Sequence, residues 1–67
     1  MNAQRLIAEN IRKYRKDAGL TQVKAARITG LTTTFWNHVE MKRVTPSVAT
    51  LERMCKTIGV PMSKIFE

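Results

Sequence analysis

Apolar residues recur along this chain at helical intervals, and no stretch alternates at period two for long enough to make a strand. From about residue 3 to 17, Ile7, Ile11, Tyr14 and Ala18 fall at i, i+4, i+7 and i+11, while Arg5, Glu9, Arg12 and Lys16 occupy other faces. That spacing predicts an amphipathic first helix stopped at Gly19, with cations in its last turns where the macrodipole favours them. Thr21 is a good N-cap for a short helix over about 22–29 that Gly30 ends, and Thr32 can cap another over about 33–41. Thr45 followed by Pro46 predicts the start of a fourth helix, with Val48, Leu51, Cys55 and Ile58 as its core stripe and Gly59 as its stop. Pro61 opens a last turn carrying Met62, Ile65 and Phe66. The pattern predicts an all-α fold, a compact bundle of five short helices forming one domain over residues 1–67.

Composition narrows this picture. A chain of 67 residues lies near the lower end of what folds alone, and with aromatics at only 6%, aliphatic helix faces must supply most of the core. One cysteine excludes an intramolecular disulfide framework and the usual structural zinc sites, so Cys55 is expected as a small apolar core residue. The opening "MNAQRLIAENIRKYRK" is interrupted by charge every few residues, unlike a signal peptide or a membrane span, and a cytoplasmic protein is expected. Lys and Arg number 12 against 5 acidic residues, a net charge of +7, which favours a polyanionic partner. Nucleic acid comes first. An anionic membrane fits less well, because the first helix mixes Glu9 and Asn10 into its polar face and lacks an aromatic-rich apolar side.

Amid this basic chain, "GLTTTFWNHVE" carries no charge until Glu40. At about 100° per residue, Phe35, Trp36 and Val39 share one arc of a helix, and Thr33, Thr34, Asn37, His38 and Met41 fill the opposite one. Base edges are uncharged donors and acceptors, so a face that reads them should carry hydroxyls, amides and imidazole. Arg12, Lys13, Arg15, Lys16, Lys24, Arg27, Lys42 and Arg43 surround the segment in sequence and suit phosphates. The plainer alternatives are a cap with two solvated threonines, a solvated His38, and a solvated helix face at "RKYRK". Trp36 belongs to the core on its arc. His38 has no second His or Cys for a metal, and Cys55 has no His-plus-carboxylate set, so neither a cofactor nor an enzyme is expected.

Two short helices joined at "ITGLT", with glycine where the direction changes, form a helix-turn-helix arrangement. The surrounding residues resemble the Cro/phage-repressor (Xre) class of helix-turn-helix regulators. The resemblance runs without gaps from about Ile7 to Glu67: "IRKYRKDAGLTQ", then Ala26 and Gly30 in register with Gln22, Glu40 at the end of the third helix, "TPS" with Leu51, and "IGVPMSKIFE". It implies a prokaryotic or phage-type repressor that binds double-stranded DNA at the nucleoid. Because so small a body inserts one recognition helix, a homodimer on a two-fold symmetric operator is expected, with no small-molecule effector evident.

By the same resemblance, Gln22 and Thr32 contact phosphate, Thr33, Thr34, Asn37 and His38 read bases, and Arg43 approaches phosphate from the loop after the recognition helix. Lys42 and Arg15 join the phosphate-facing cations. Arg15 and Glu40 match a pair that bridges the first and third helices, and Met62, Ile65 and Phe66 fall in the dimer surface. The alternative is an antitoxin or adaptor module that uses this fold to hold an acidic protein.

The sequence also departs from the class. Lys42 stands where glycine is common, which predicts an altered helix exit or a left-handed lysine. Trp36 replaces an aliphatic residue, and Ala25 and Thr29 replace larger ones, so the indole is expected to fill the space they leave. Val23 and Ile28 fall off the expected core face of the second helix.

Overall fold

The computed structural model describes residues 2–67, and its regular elements are all helical: α1 (Ala3–Asp17), α2 (Gln22–Thr29), α3 (Thr33–Glu40), α4 (Val48–Ile58) and α5 (Met62–Ile65). Each of the first four begins at a side-chain cap that satisfies backbone N–H groups otherwise left without partners. Asn2 Oδ1 accepts from Gln4 N at 2.9 Å, Thr21 Oγ1 from Lys24 N at 3.1 Å, and Thr32 Oγ1 from Phe35 N at 3.0 Å.

The fourth helix starts later than its sequence predicts. Ser47, not Thr45, is the cap, and its Oγ accepts from Thr50 N at 3.2 Å, while Pro46 stays outside the helix and is buried. Val48 therefore occupies the first turn and is 74% exposed, so it is not a core residue. Met54 takes its place, and the buried stripe is Leu51, Met54, Cys55 and Ile58. At the other end of the chain's first helix, Ala18 is a C-cap and exposed; the buried side of α1 is Ile7, Ala8, Ile11 and Arg15.

Helix α1 packs on α3, α4 and α5, while α2 packs on α3 and α4. Trp36, Ile11, Met54, Ile65, Val39 and Cys55 are the largest fully buried side chains. Ala25 shares this core with Trp36 and is itself fully buried. Thr29 serves another end: its hydroxyl bonds Ala25 O at 2.6 Å and Thr57 Oγ1 at 2.7 Å, linking α2 to α4. Two side-chain clamps on backbone carbonyls reinforce the packing. Arg53 Nη2 donates to Thr29 O at 2.6 Å, and Asn10 Nδ2 donates to Ile65 O at 2.6 Å, which ties α5 to α1.

The turn between α2 and α3 needs its glycine twice over. Gly30 has φ +80°, and a Cβ there would lie 3.0 Å from Arg53 Nη2. Leu31 N donates to Ala26 O at 2.9 Å, closing the end of α2 and delivering the chain to the Thr32 cap.

Candidate nucleic-acid interface

Helix α3 has two dissimilar sides. Trp36 and Val39 are buried and Phe35 packs partly against the core, whereas Thr33 and Thr34 are exposed and Asn37 and His38 half-buried. The short side chains of the outer side leave α3 accessible, and its anchored side fixes the helix against α1 and α2.

Beneath the outer side lies a network centred on Glu40. Arg15 Nε donates to Glu40 Oε2 at 2.7 Å and Arg15 Nη2 to Oε1 at 3.0 Å, a two-pronged pair that joins α1 to α3. Arg15 Nη1 also donates to Leu20 O at 2.8 Å. Trp36 Nε1 donates to Glu40 Oε2 at 2.5 Å, and Gln22 Nε2 donates to Oε1 at 3.0 Å. Gln22 Oε1 then accepts from Asn37 Nδ2 at 3.2 Å. Burial pushes the Glu40 carboxyl up, but hydrogen bonds from Arg15, Gln22 and Trp36, with the charge of Arg15, more than reverse this and hold it below its ordinary value. Glu40 is thus an ionised hub, and among the described residues no buried side-chain polar atom lacks a partner.

Arg15 is only 8% exposed, with its guanidinium turned inward on Glu40 and Leu20. Its place is under the helix rather than among the outward cations. Arg12, one turn earlier on α1, lines a cleft of about 220 Å³ with Arg15, Gln22, Asn37, Glu40 and Met41. The i, i+3 spacing of Arg12 and Arg15 was the available signal for this neighbour of Asn37. No sequence signal marked Asn10 or Arg53, because their partners are backbone carbonyls.

Among the described residues, Arg12, Lys16, Lys24, Arg27 and Arg43 form no ion pair, leaving their charge for an external anion. Lys13 lies 3.7 Å from Asp17, and Lys42 Nζ lies 3.8 Å from Glu9 Oε2, both in exposed pairs. At the exit of α3, Lys42 takes φ +64°, the left-handed conformation that glycine would adopt without a Cβ penalty. Its N–H donates to Val39 O at 3.2 Å and that of Arg43 to His38 O at 2.9 Å, so the usual glycine-type helix stop is made with lysine.

The C-terminal residues divide. Ile65 is fully buried in the core of its own monomer, which removes it from any external surface, whereas Phe66 is 44% exposed and Met62 half-buried. Cys55 is also buried, and burial, with the charge of Glu52, pushes its thiol up and away from the reactive thiolate. No described helix is long and apolar enough to cross a membrane.

This fold and its two-sided α3 define a helix-turn-helix protein. Residues 6–64 match the family model described as "Helix-turn-helix domain", and the chain belongs to that family. It is similar to control protein C.SmaI of Serratia marcescens, at 32% identity over 66 residues covering 98% of this chain and 79% of that one. It is 31% identical over 58 residues to the HTH-type transcriptional regulator PuuR of Escherichia coli (strain K12), covering 87% of this chain but 31% of PuuR. The crystal structure of a hypothetical transcription factor, NHTF, from Neisseria superposes with a TM-score of 0.93 at 29% identity, covering 98% of this chain and 76% of that one.

Proposed function

We propose that the chain is a sequence-specific double-stranded-DNA-binding regulator, a repressor that occupies a two-fold symmetric operator as a homodimer at the nucleoid. The observation that carries this reading is the outer side of α3. Thr33 and Thr34 are exposed and Asn37 and His38 half-buried there, on a helix whose other side is locked into the core. Hydroxyls, an amide and an imidazole suit major-groove edges, and a threonine methyl suits the C5 methyl of thymine. Arg43, Lys42 and Arg12 supply charge for phosphates, with Gln22 and Thr32 at the N-termini of α2 and α3 as further phosphate contacts.

Size supports the dimer. The molecule measures 30 Å in its longest dimension and offers one such helix, whereas two-fold related half-sites lie about 34–36 Å apart. Two copies joined through the C-terminal region, where Phe66 is exposed beside Met62, would present two recognition helices. The relatives named as transcriptional regulators agree with this role.

Selection of bound sequences from a random duplex library at physiological salt tests the reading. An enriched palindrome with half-site centres one helical turn apart is the expected result. A single unsymmetrical site would remove the dimer, and no enrichment at all would remove sequence-specific binding.

A further inference from the structure

We propose that the buried charge of Glu40 fixes which hydrogen-bonding groups Asn37 presents to DNA, through Gln22 as a relay, so that Gln22 and Glu40 are positioning residues for base preference. The inference rests on the reading of Asn37 as a base contact, and adds to it the origin of that contact's polarity.

An ionised carboxylate can only accept hydrogen bonds. Glu40 receives Arg15 Nε and Nη2, Trp36 Nε1 and Gln22 Nε2, all groups that can only donate. The Gln22 amide therefore has one permitted orientation: its NH2 at 3.0 Å from Glu40 and its carbonyl directed away. That carbonyl can only accept, which in turn requires the NH2 of Asn37 to face it, as it does at 3.2 Å. Asn37 is left with Oδ1 and one N–H for an outside partner. This acceptor-plus-donor pair matches the N6–H and N7 edge of adenine. Without Gln22, the Asn37 amide would be free to turn over and to sample other rotamers. Binding would then have to freeze it, at a cost of about two- to tenfold in affinity for the matching base.

The relay differs from a phosphate contact in its signature. Loss of a phosphate contact weakens all duplexes alike, whereas loss of the relay relaxes the preference at one base position. Gln22→Met keeps the length of the side chain and leaves Glu40 with its Arg15 and Trp36 partners. Base-preference profiles of wild type, Gln22→Met, Asn37→Ala and the double variant should be measured on randomised duplexes. Gln22→Met is expected to weaken all duplexes through its lost phosphate contact and, in addition, to relax, about two- to tenfold, the same position that Asn37→Ala relaxes, with no further relaxation in the double variant. In the free protein, the side-chain amide order parameter of Asn37 should fall in Gln22→Met.

Gln22→Met weakening all sequences alike with its profile intact, additive effects in the double variant, or an unchanged Asn37 order parameter would each overturn the relay. If Asn37→Ala leaves the wild-type profile, base reading by Asn37 is itself wrong and the relay falls with it. If only Gln22→Met leaves that profile, the relay alone is lost.

Discussion

Trp36 and Glu40 stand one turn apart on α3, and the indole Nε1 donates to the Glu40 carboxylate at 2.5 Å. The bulkiest core residue is thereby tied to the buried charge that also receives Arg15 from α1 and Gln22 from α2. Trp36→Phe keeps an aromatic ring but removes the donor. It is expected to lower unfolding free energy by about 1–3 kcal/mol, the range for deleting one partner of a buried charged bond. Urea midpoints compared with wild type check this, and an unchanged midpoint would mean that the Nε1 bond to Glu40 contributes nothing to stability.

The charge on Glu40 has a pH signature. Its folded-state pKa is depressed below the ordinary 4.5, so its stabilisation is fully present above that value and fades as pH falls through the folded pKa. Glu40→Gln, which leaves Arg15 with a neutral partner, is expected to cost about 3 kcal/mol at pH 7. The gap between variant and wild type should narrow steadily below pH 4.5, because only the wild type has a carboxylate at position 40 to protonate. Denaturant titrations at several pH values between 3 and 7 measure the gap; a constant gap would exclude the ionised hub.

Lys42 holds a left-handed conformation that disfavours any residue with a Cβ. Lys42→Gly is expected to stabilise the fold by about 1 kcal/mol, since the exposed pair with Glu9 contributes little. Tm should rise by roughly 4 °C or more in a domain of this size. Because Lys42 is assigned a phosphate contact, the same variant should bind DNA with a shallower salt dependence.

Thr34→Ala and Arg43→Ala separate reading from anchoring. Thr34→Ala is expected to cost roughly 1–3 kcal/mol on the selected operator and to relax preference at one position. Arg43→Ala should weaken cognate and random duplexes alike and reduce the salt slope by about 0.9. Equal shifts on both duplexes from Thr34→Ala would refute base reading at that position.

The sequence by itself determined the helical class, the bounds of α1 and α2 and the two arcs of α3, because each rests on local periodicity, caps and glycine stops. It also marked Lys42 as an unusual helix exit, since one residue's φ is a local property. It misplaced the start of α4, where Thr45 and Ser47 offer competing hydroxyl caps, and with it the burial of Val48. The Arg15–Glu40 pair was legible through the family resemblance, but only the tertiary structure decided that Gln22 and Trp36 join it beneath α3. Arg15, Gln22 and Glu40 come from three helices, and their bonds depend on how those helices cross. The same holds for Ile65, whose carbonyl meets Asn10 across 55 positions of chain and whose side chain closes the core instead of facing a partner. Periodicity tells which side of a helix is apolar; it carries no information on which distant donor will satisfy a buried acceptor.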